Sequence, residues 1–190
     1  MRLQEGYSSL IDLARALDEA SDPDRLNWMA TQGRAEQRNL WRIAAEADPI
    51  ALEDFVPAAF GTLVPARHRG RNTLPLPPPH RGFEKRFCRP SDGSDRLFGY
   101  NEAPSRRWIG PGYFVARPDE RGVVIDYREV PDAEVPPGWP AVVPNTQGLQ
   151  WFVYRGTRDV MRRVSRHVSI GAAFRGARPL DHYFLLCREP

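Results

Sequence analysis

Apolar residues recur at two different spacings along the chain. Near the N-terminus the spacing is helical: Leu10, Leu13 and Leu17 would share one face of a helix, and segments 22–32 and 34–47 carry the same period. Capping and turn-forming residues separate the three segments. The pattern predicts three short helices in the first third of the chain.

From residue 83 onward the spacing changes to two, and the apolar runs become rich in aromatic and β-branched side chains, as in β-strands. Turn sequences such as PSDGSD and PDERG lie between the runs and favour antiparallel hairpins. The predicted strands are 83–89, 97–101, 112–117, 123–128, 168–175 and 181–188.

One long helix is predicted between the fourth and fifth of these strands. Leu149, Phe152, Val153 and Val160 keep helical spacing over residues 146–166, despite an internal glycine. Arginines occupy the other side of the segment. We expect this helix to pack across one face of the sheet.

A proline cluster separates the two halves. Prolines at positions 75 and 77–79 disfavour a helix interior and a central strand. We therefore expect a helical N-terminal segment over 1–60, a Pro/Arg-rich linker over 61–82 and an antiparallel domain over 83–190. The expected fold class is α+β: an antiparallel sheet of about six strands with one long helix packed on it, preceded by a small N-terminal helical segment.

Composition and charge narrow the class of partner. The net charge is +3, and Lys85 is the only lysine, although lysine and arginine together number 27. An Arg-rich chain of this kind is typical of a GC-rich bacterial genome, so its positive charge is weak evidence for a nucleic-acid partner, and we expect none. No run approaches the roughly 20 apolar residues of a membrane span. We expect a cytoplasmic protein that does not bind membranes.

The turn Gly110-Pro111-Gly112 is the segment closest to a phosphate-binding loop. Such a loop needs several backbone N–H groups at a helix N-terminus, whereas here a proline removes one donor and a strand pattern follows. We interpret it as a turn before a strand. Cys88, Cys187 and the four histidines lack metal-ligand spacing, so we expect no metal and no cofactor.

Small and polar aromatic residues on the predicted strands indicate a ligand pocket under the long helix. Small side chains such as Gly99 leave volume, while Tyr100, Tyr113, Arg175 and His182 offer directional contacts. The main hypothesis is a non-catalytic binding protein for a small, partly apolar ligand, with an anionic group as one option. Arg175 would be the charge partner of the ligand in this helix–sheet pocket.

Two other functions stay open. A proline-rich linker joins an acidic N-terminal part to a basic C-terminal part. This arrangement could support binding of a protein partner or self-association. An enzyme of unknown class would use His182 or Cys88, with Asp126 or Asp181 as further acid–base groups. The enzyme ranks last because the sequence does not show that these residues meet in space, although Cys88 and His182 could approach each other across strands.

Overall fold

The central feature of the computed structural model, which describes residues 9–75 and 77–189, is a closed barrel of eight antiparallel β-strands. Each strand pairs with the next one along the chain, and the last strand pairs with the first. Closure leaves the sheet without a free edge. The strands are β1 (Ala66–Asn72), β2 (Gly82–Cys88), β3 (Leu97–Glu102), β4 (Phe114–Asp119), β5 (Gly122–Asp126), β6 (Thr157–Arg163), β7 (Val168–Arg175) and β8 (Arg178–Arg188).

Short α-helices precede the barrel and interrupt its loops. They are α1 (Leu10–Glu19), α2 (Asp22–Thr31), α3 (Arg34–Ile43), α4 (Leu52–Phe55), α5 (Arg106–Ile109) and α6 (Gln150–Tyr154). The first three lie where the helical spacing predicts them. In the described part of the chain, no helix is long and apolar enough to cross a membrane.

The expected fold class, a six-stranded sheet under one long helix, is wrong. All six predicted strands occur, but the segment 146–166 holds only α6 and then β6. Gly156 ends α6 with a φ of +66°, and from Thr157 the side chains alternate between the barrel interior and its outer surface. Of the arginines expected on one helix face, Arg158 and Arg162 lie on the outside of β6, because residues two apart share one face of a strand.

The sequence pattern also fails to predict β1. This strand lies within the segment 61–82, expected as a linker, and pairs with β2 on one side and β8 on the other. Its inward positions are Ala66, His68 and Gly70, which alternate with exposed arginines, so no apolar period marks it. How the chain divides into folding units stays a prediction.

Helices α1 to α3 cover one side of the barrel from outside. α3 packs on β7 and β8. Leu17, Trp28 and Leu40 from the helices form one buried apolar cluster with Ile170 and Leu185 from the strands. The helical segment and the barrel therefore share a core.

The segment around α4 closes one end of the barrel. Phe55 and Val56 are fully buried among the interior side chains at that end. The His68 Nε2 atom lies 2.9 Å from the carbonyl oxygen of Phe55, and Arg89 donates to the carbonyl of Val56 at 2.6 Å. These bonds satisfy backbone groups that the short helix leaves unpaired.

Three inward-facing glycines make room for phenylalanine rings on the neighbouring strands. The pairs are Gly70 with Phe83, Gly99 with Phe114 and Gly171 with Phe184, each directly opposite across two strands. A Cβ added to any of these glycines would lie 2.2 to 2.4 Å from ring atoms. Each ring therefore enters the barrel interior by lying over bare backbone.

Replacing one of these glycines should destabilise the barrel. In Gly99→Ala the new Cβ would lie 2.4 Å from the Phe114 ring and also 2.4 Å from the carbonyl oxygen of Arg86, which a side-chain rotation cannot relieve. We expect the free energy of unfolding, measured by urea denaturation, to fall by about 1–3 kcal/mol. Gly82→Ala, whose Cβ meets nothing within 4 Å, should stay within about 0.5 kcal/mol. Equal effects of the two changes would contradict this account of the interior.

Candidate functional site

The side chain of Lys85 points into the barrel and ends in a box of four aromatic rings. Its Nζ atom lies 5.0 to 5.6 Å from the ring centres of Phe83, Phe114, Tyr127 and Phe184. Only 3% of the side chain is exposed. Three of the four rings are the ones that pack over the inward glycines, so the packing of the barrel also builds the surroundings of the amine.

Three polar groups contact the amine inside this box. Lys85 Nζ donates to Asn101 Oδ1 at 2.8 Å and to the hydroxyl oxygen of Tyr127, and it lies 3.4 Å from Asp159 Oδ2. The Tyr127 hydroxyl in turn donates to Asp159 at 3.2 Å, and Asn101 donates to the backbone carbonyl of Gly112 at 3.0 Å. The amine and the carboxylate are thus held by a connected network.

Burial changes the proton affinities of this pair in opposite directions. Loss of water lowers the pKa of Lys85, and the neighbouring Asp159 carboxylate partly offsets that effect. Loss of water likewise raises the pKa of Asp159, against the opposing effect of Lys85. Both shifts bring the charged pair closer in energy to the neutral amine and carboxylic acid. A proton can therefore be exchanged between these two groups more easily than on the surface.

The use of lysine at this position is informative because the chain uses arginine at every other basic position. A guanidinium stays protonated in proteins, whereas an amine can lose its proton and act as a nucleophile or base. Burying an ion pair costs desolvation energy and is often no more stabilising than apolar packing. The network is therefore a better candidate for chemistry than for stability.

A cap, residues 144–154, covers the barrel end opposite α4. The Tyr154 ring stacks on Tyr127 with ring centres 5.0 Å apart. Gln150 accepts from the backbone N–H of Gly112 at 3.3 Å, and Asn145 donates to the Tyr127 carbonyl at 2.8 Å. The cap thus rests directly on a residue that contacts Lys85.

A groove of about 600 Å³ runs along the rim of this capped end, between α2 and the strands β1 and β2. We call it the rim groove. One wall is apolar and is formed by Leu26, Met29 and Ala30. The polar lining consists of four arginines and two glutamates: Arg69, Arg71, Arg106, Arg107, Glu84 and Glu102. Its volume is in the range typical of small-molecule sites, and its lining carries an excess of positive charge.

Phe83 belongs to both the rim groove and the lysine box. It lines the groove, and the Lys85 Nζ atom lies 5.6 Å from the centre of its ring. The side chain is half-buried, which is consistent with one side facing the groove and the other the interior. One aromatic ring thus separates the groove from the amine.

Two of the predicted ligand residues lie together, but outside the barrel. Tyr100 and Tyr113 are buried beneath Trp139, with ring centres 4.9 to 6.4 Å apart within the trio. The Tyr113 hydroxyl donates to the Pro140 carbonyl at 2.5 Å. The two tyrosines therefore fix the 129–145 loop to the outer surface of β3 and β4.

The other two predicted ligand residues lie on β7 and β8, across the barrel from this loop. Arg175 is exposed, and His182 is half-buried with an Nδ1 atom that has no hydrogen-bond partner among the described residues. The long helix that was to cover all four residues does not exist. Their role in ligand binding stays a prediction.

The groups proposed for an enzyme are dispersed. Cys88 is buried in an apolar cluster, where burial raises the pKa of its thiol to about 12 and disfavours the nucleophilic thiolate. Asp126 pairs with Arg128, and Asp181 pairs with Arg34 and Arg38 on the surface. Within residues 9–75 and 77–189, no three His, Cys, Asp or Glu side chains lie together in a way that could hold a metal.

Comparison with known proteins yields no relative: no protein-family model, curated protein or solved structure matches the chain.

Lys85 and Asp159 are not among the site residues that the sequence predicts, although one signal for the lysine is present. Lys85 lies two positions from Phe83 and two from Phe87, so a strand that turns both rings inward must turn the lysine inward as well. No such signal marks Asp159, because the apolar spacing of its segment predicts a helix and not a strand.

Replacing Asp159 should show how much its carboxylate stabilises the buried ammonium of Lys85. In Asp159→Asn the Lys85 ammonium loses its counter-charge, and we expect the free energy of unfolding at pH 7 to fall by about 3–5 kcal/mol. The folded-state pKa of Lys85 lies below its unfolded value. The loss of stability is therefore full at pH values below the folded-state pKa, and it shrinks as the pH rises toward the unfolded value of about 10. Urea denaturation of wild type and variant at pH 7 and pH 10 measures the difference.

Asp132→Asn is the matched control, since Asp132 is exposed and pairs with Arg96 on the surface. It should cost less than about 1 kcal/mol at either pH. A similar small, pH-independent loss in Asp159→Asn would show that the buried ammonium is not stabilised by Asp159.

Proposed function

We propose that the protein binds a small, partly apolar anion in the rim groove. The observation that carries this proposal is the composition of the groove, where an apolar wall from α2 faces four arginines and two glutamates. An apolar chain would lie on Leu26 and Met29, and its anionic group would face the arginines. This is the ligand class expected from the sequence, at a different set of residues.

The pairing of the groove arginines supports Arg107 as the main contact for the anion. Arg69 is bound to Glu189 at 2.5 Å and Arg106 to Glu102 at 2.7 Å, so part of their charge is neutralised. Arg107 is exposed at the groove. A carboxylate placed there would gain charge-assisted hydrogen bonds, which are roughly twice as strong as neutral ones.

Isothermal titration calorimetry with octanoate tests the proposal. We expect saturable binding that Arg107→Ala weakens about tenfold, because a hydrogen bond to a charged group contributes about 1.5–3 kcal/mol. Hexanoate should bind about tenfold more weakly than octanoate, since each buried methylene contributes about 0.8 kcal/mol.

Two further arginine variants serve as the comparison. Arg117→Ala alters an exposed arginine on β4 that pairs with Glu129, and it should leave the affinity unchanged. Arg175→Ala tests the residue expected from the sequence. Weaker binding in Arg175→Ala together with unchanged binding in Arg107→Ala would move the site from the rim groove to β7, and no binding by wild type would end the proposal.

A further inference from the structure

We propose that the amine of Lys85 forms a reversible imine with an aldehyde or ketone carbonyl of a ligand that enters from the rim groove. This inference deepens the proposed function and rests on it for the route of entry. It also narrows the ligand class: a molecule that presents an anion to the groove arginines and a carbonyl to Lys85 is an apolar oxo acid.

The surroundings of Lys85 meet the requirements of imine formation. The nucleophile must be a neutral amine, and removal of Lys85 from water, with only 3% of its side chain exposed, disfavours the charged form. The cation–π attraction of the four rings opposes this effect in part. The reaction also releases water, so exclusion of solvent favours the product. Asn101 and Tyr127 hold the nitrogen in place, while Asp159 lies 3.4 Å away as a group able to deliver and accept protons.

The step balances without any further reactant. Transfer of a proton from the ammonium to Asp159 leaves an amine and a carboxylic acid. The nitrogen lone pair forms a bond to the carbonyl carbon, and the electron pair of the C–O double bond moves to oxygen. With Asp159 relaying protons, that oxygen leaves as water and an iminium cation remains beside the Asp159 carboxylate. The buried site holds one cation and one anion before and after, so the reaction creates no unpaired charge.

Phe83 is the barrier on the route from the groove to the amine. Its ring lies over Gly70, which has no side chain to hold it from below, and it also contacts Phe184 and lines the groove. Rotation of this one half-buried ring toward the groove would expose Lys85. Truncation of the ring should therefore speed the reaction.

The test uses the intact chain with 2-oxooctanoate as the probe and sodium cyanoborohydride to reduce any imine. Because Lys85 is the only lysine, peptide mapping by mass spectrometry assigns the adduct either to Lys85 or to the N-terminal amino group, which serves as the internal reference. We expect an adduct at Lys85 that exceeds the one at the reference, and we expect Phe83→Ala to accelerate it several-fold.

Octanoate, which has the carboxylate and chain but no carbonyl, separates the two proposals. Saturable octanoate binding without an adduct at Lys85 would overturn the imine and leave the groove function standing. An adduct that neither octanoate nor Arg107→Ala reduces would support the imine and remove the groove as its route. Lys85→Arg, checked for folding by circular dichroism, should lose only the Lys85 adduct; the mapping of wild type decides the question if that variant does not fold.

Discussion

The burial of one amine inside a closed barrel is the constraint that sets which residues surround it. An ammonium removed from water must have partners, because an unpaired buried charge costs several kcal/mol. The barrel provides them from two strands and from the residue that follows a third: Asn101 on β3, Asp159 on β6 and Tyr127 directly after β5. Phenylalanine rings that pack over glycine backbone surround the amine, and other apolar side chains such as Leu97 and Met161 fill the rest of the interior. The same inward glycines that let the barrel close around aromatic rings therefore also produce the apolar box around the amine.

The cap connects this interior to the surface. Gly112 adopts a φ of +55°, and a Cβ at this position would lie 2.4 Å from the Tyr154 ring, so the glycine both makes the turn and seats the ring. Tyr154 stacks on Tyr127, which contacts Lys85. The Gly-Pro-Gly segment is thus a turn before β4, as its sequence indicates, but the turn also has a role in covering the site. A phosphate-binding motif and a capped barrel end can place glycines at similar spacing for different physical reasons.

The sequence predicts the helices and strands that have an apolar face, and it does not predict those that lack one. α1 to α3 and six strands follow from the spacing of apolar residues. β1 and β6 do not, because their inward positions include His68, Gly70 and Asp159, which a periodicity argument counts as polar or neutral. The missed strands supply Gly70 and Asp159 to the site, so failure to predict the fold and failure to predict the site have one cause. Polar groups in a core break the pattern by which a core is recognised.

The use of lysine and not arginine at position 85 also bears on function. Exposed basic positions can be filled by either residue at little cost, and here they are filled by arginine alone. The barrel interior is different, because a guanidinium needs five hydrogen-bond acceptors in a plane and cannot become neutral, whereas an amine needs three and can. The buried Arg25 lies outside the barrel in α2, where two backbone carbonyls and Asp22 accept from it. A purely structural cation opposite Asp159 could also be replaced by apolar packing with little loss of stability. The retention of an ionisable amine beside Phe83, at the edge of a groove with an excess of arginine, therefore favours a site in which the loss of a proton from Lys85 is part of what the protein does.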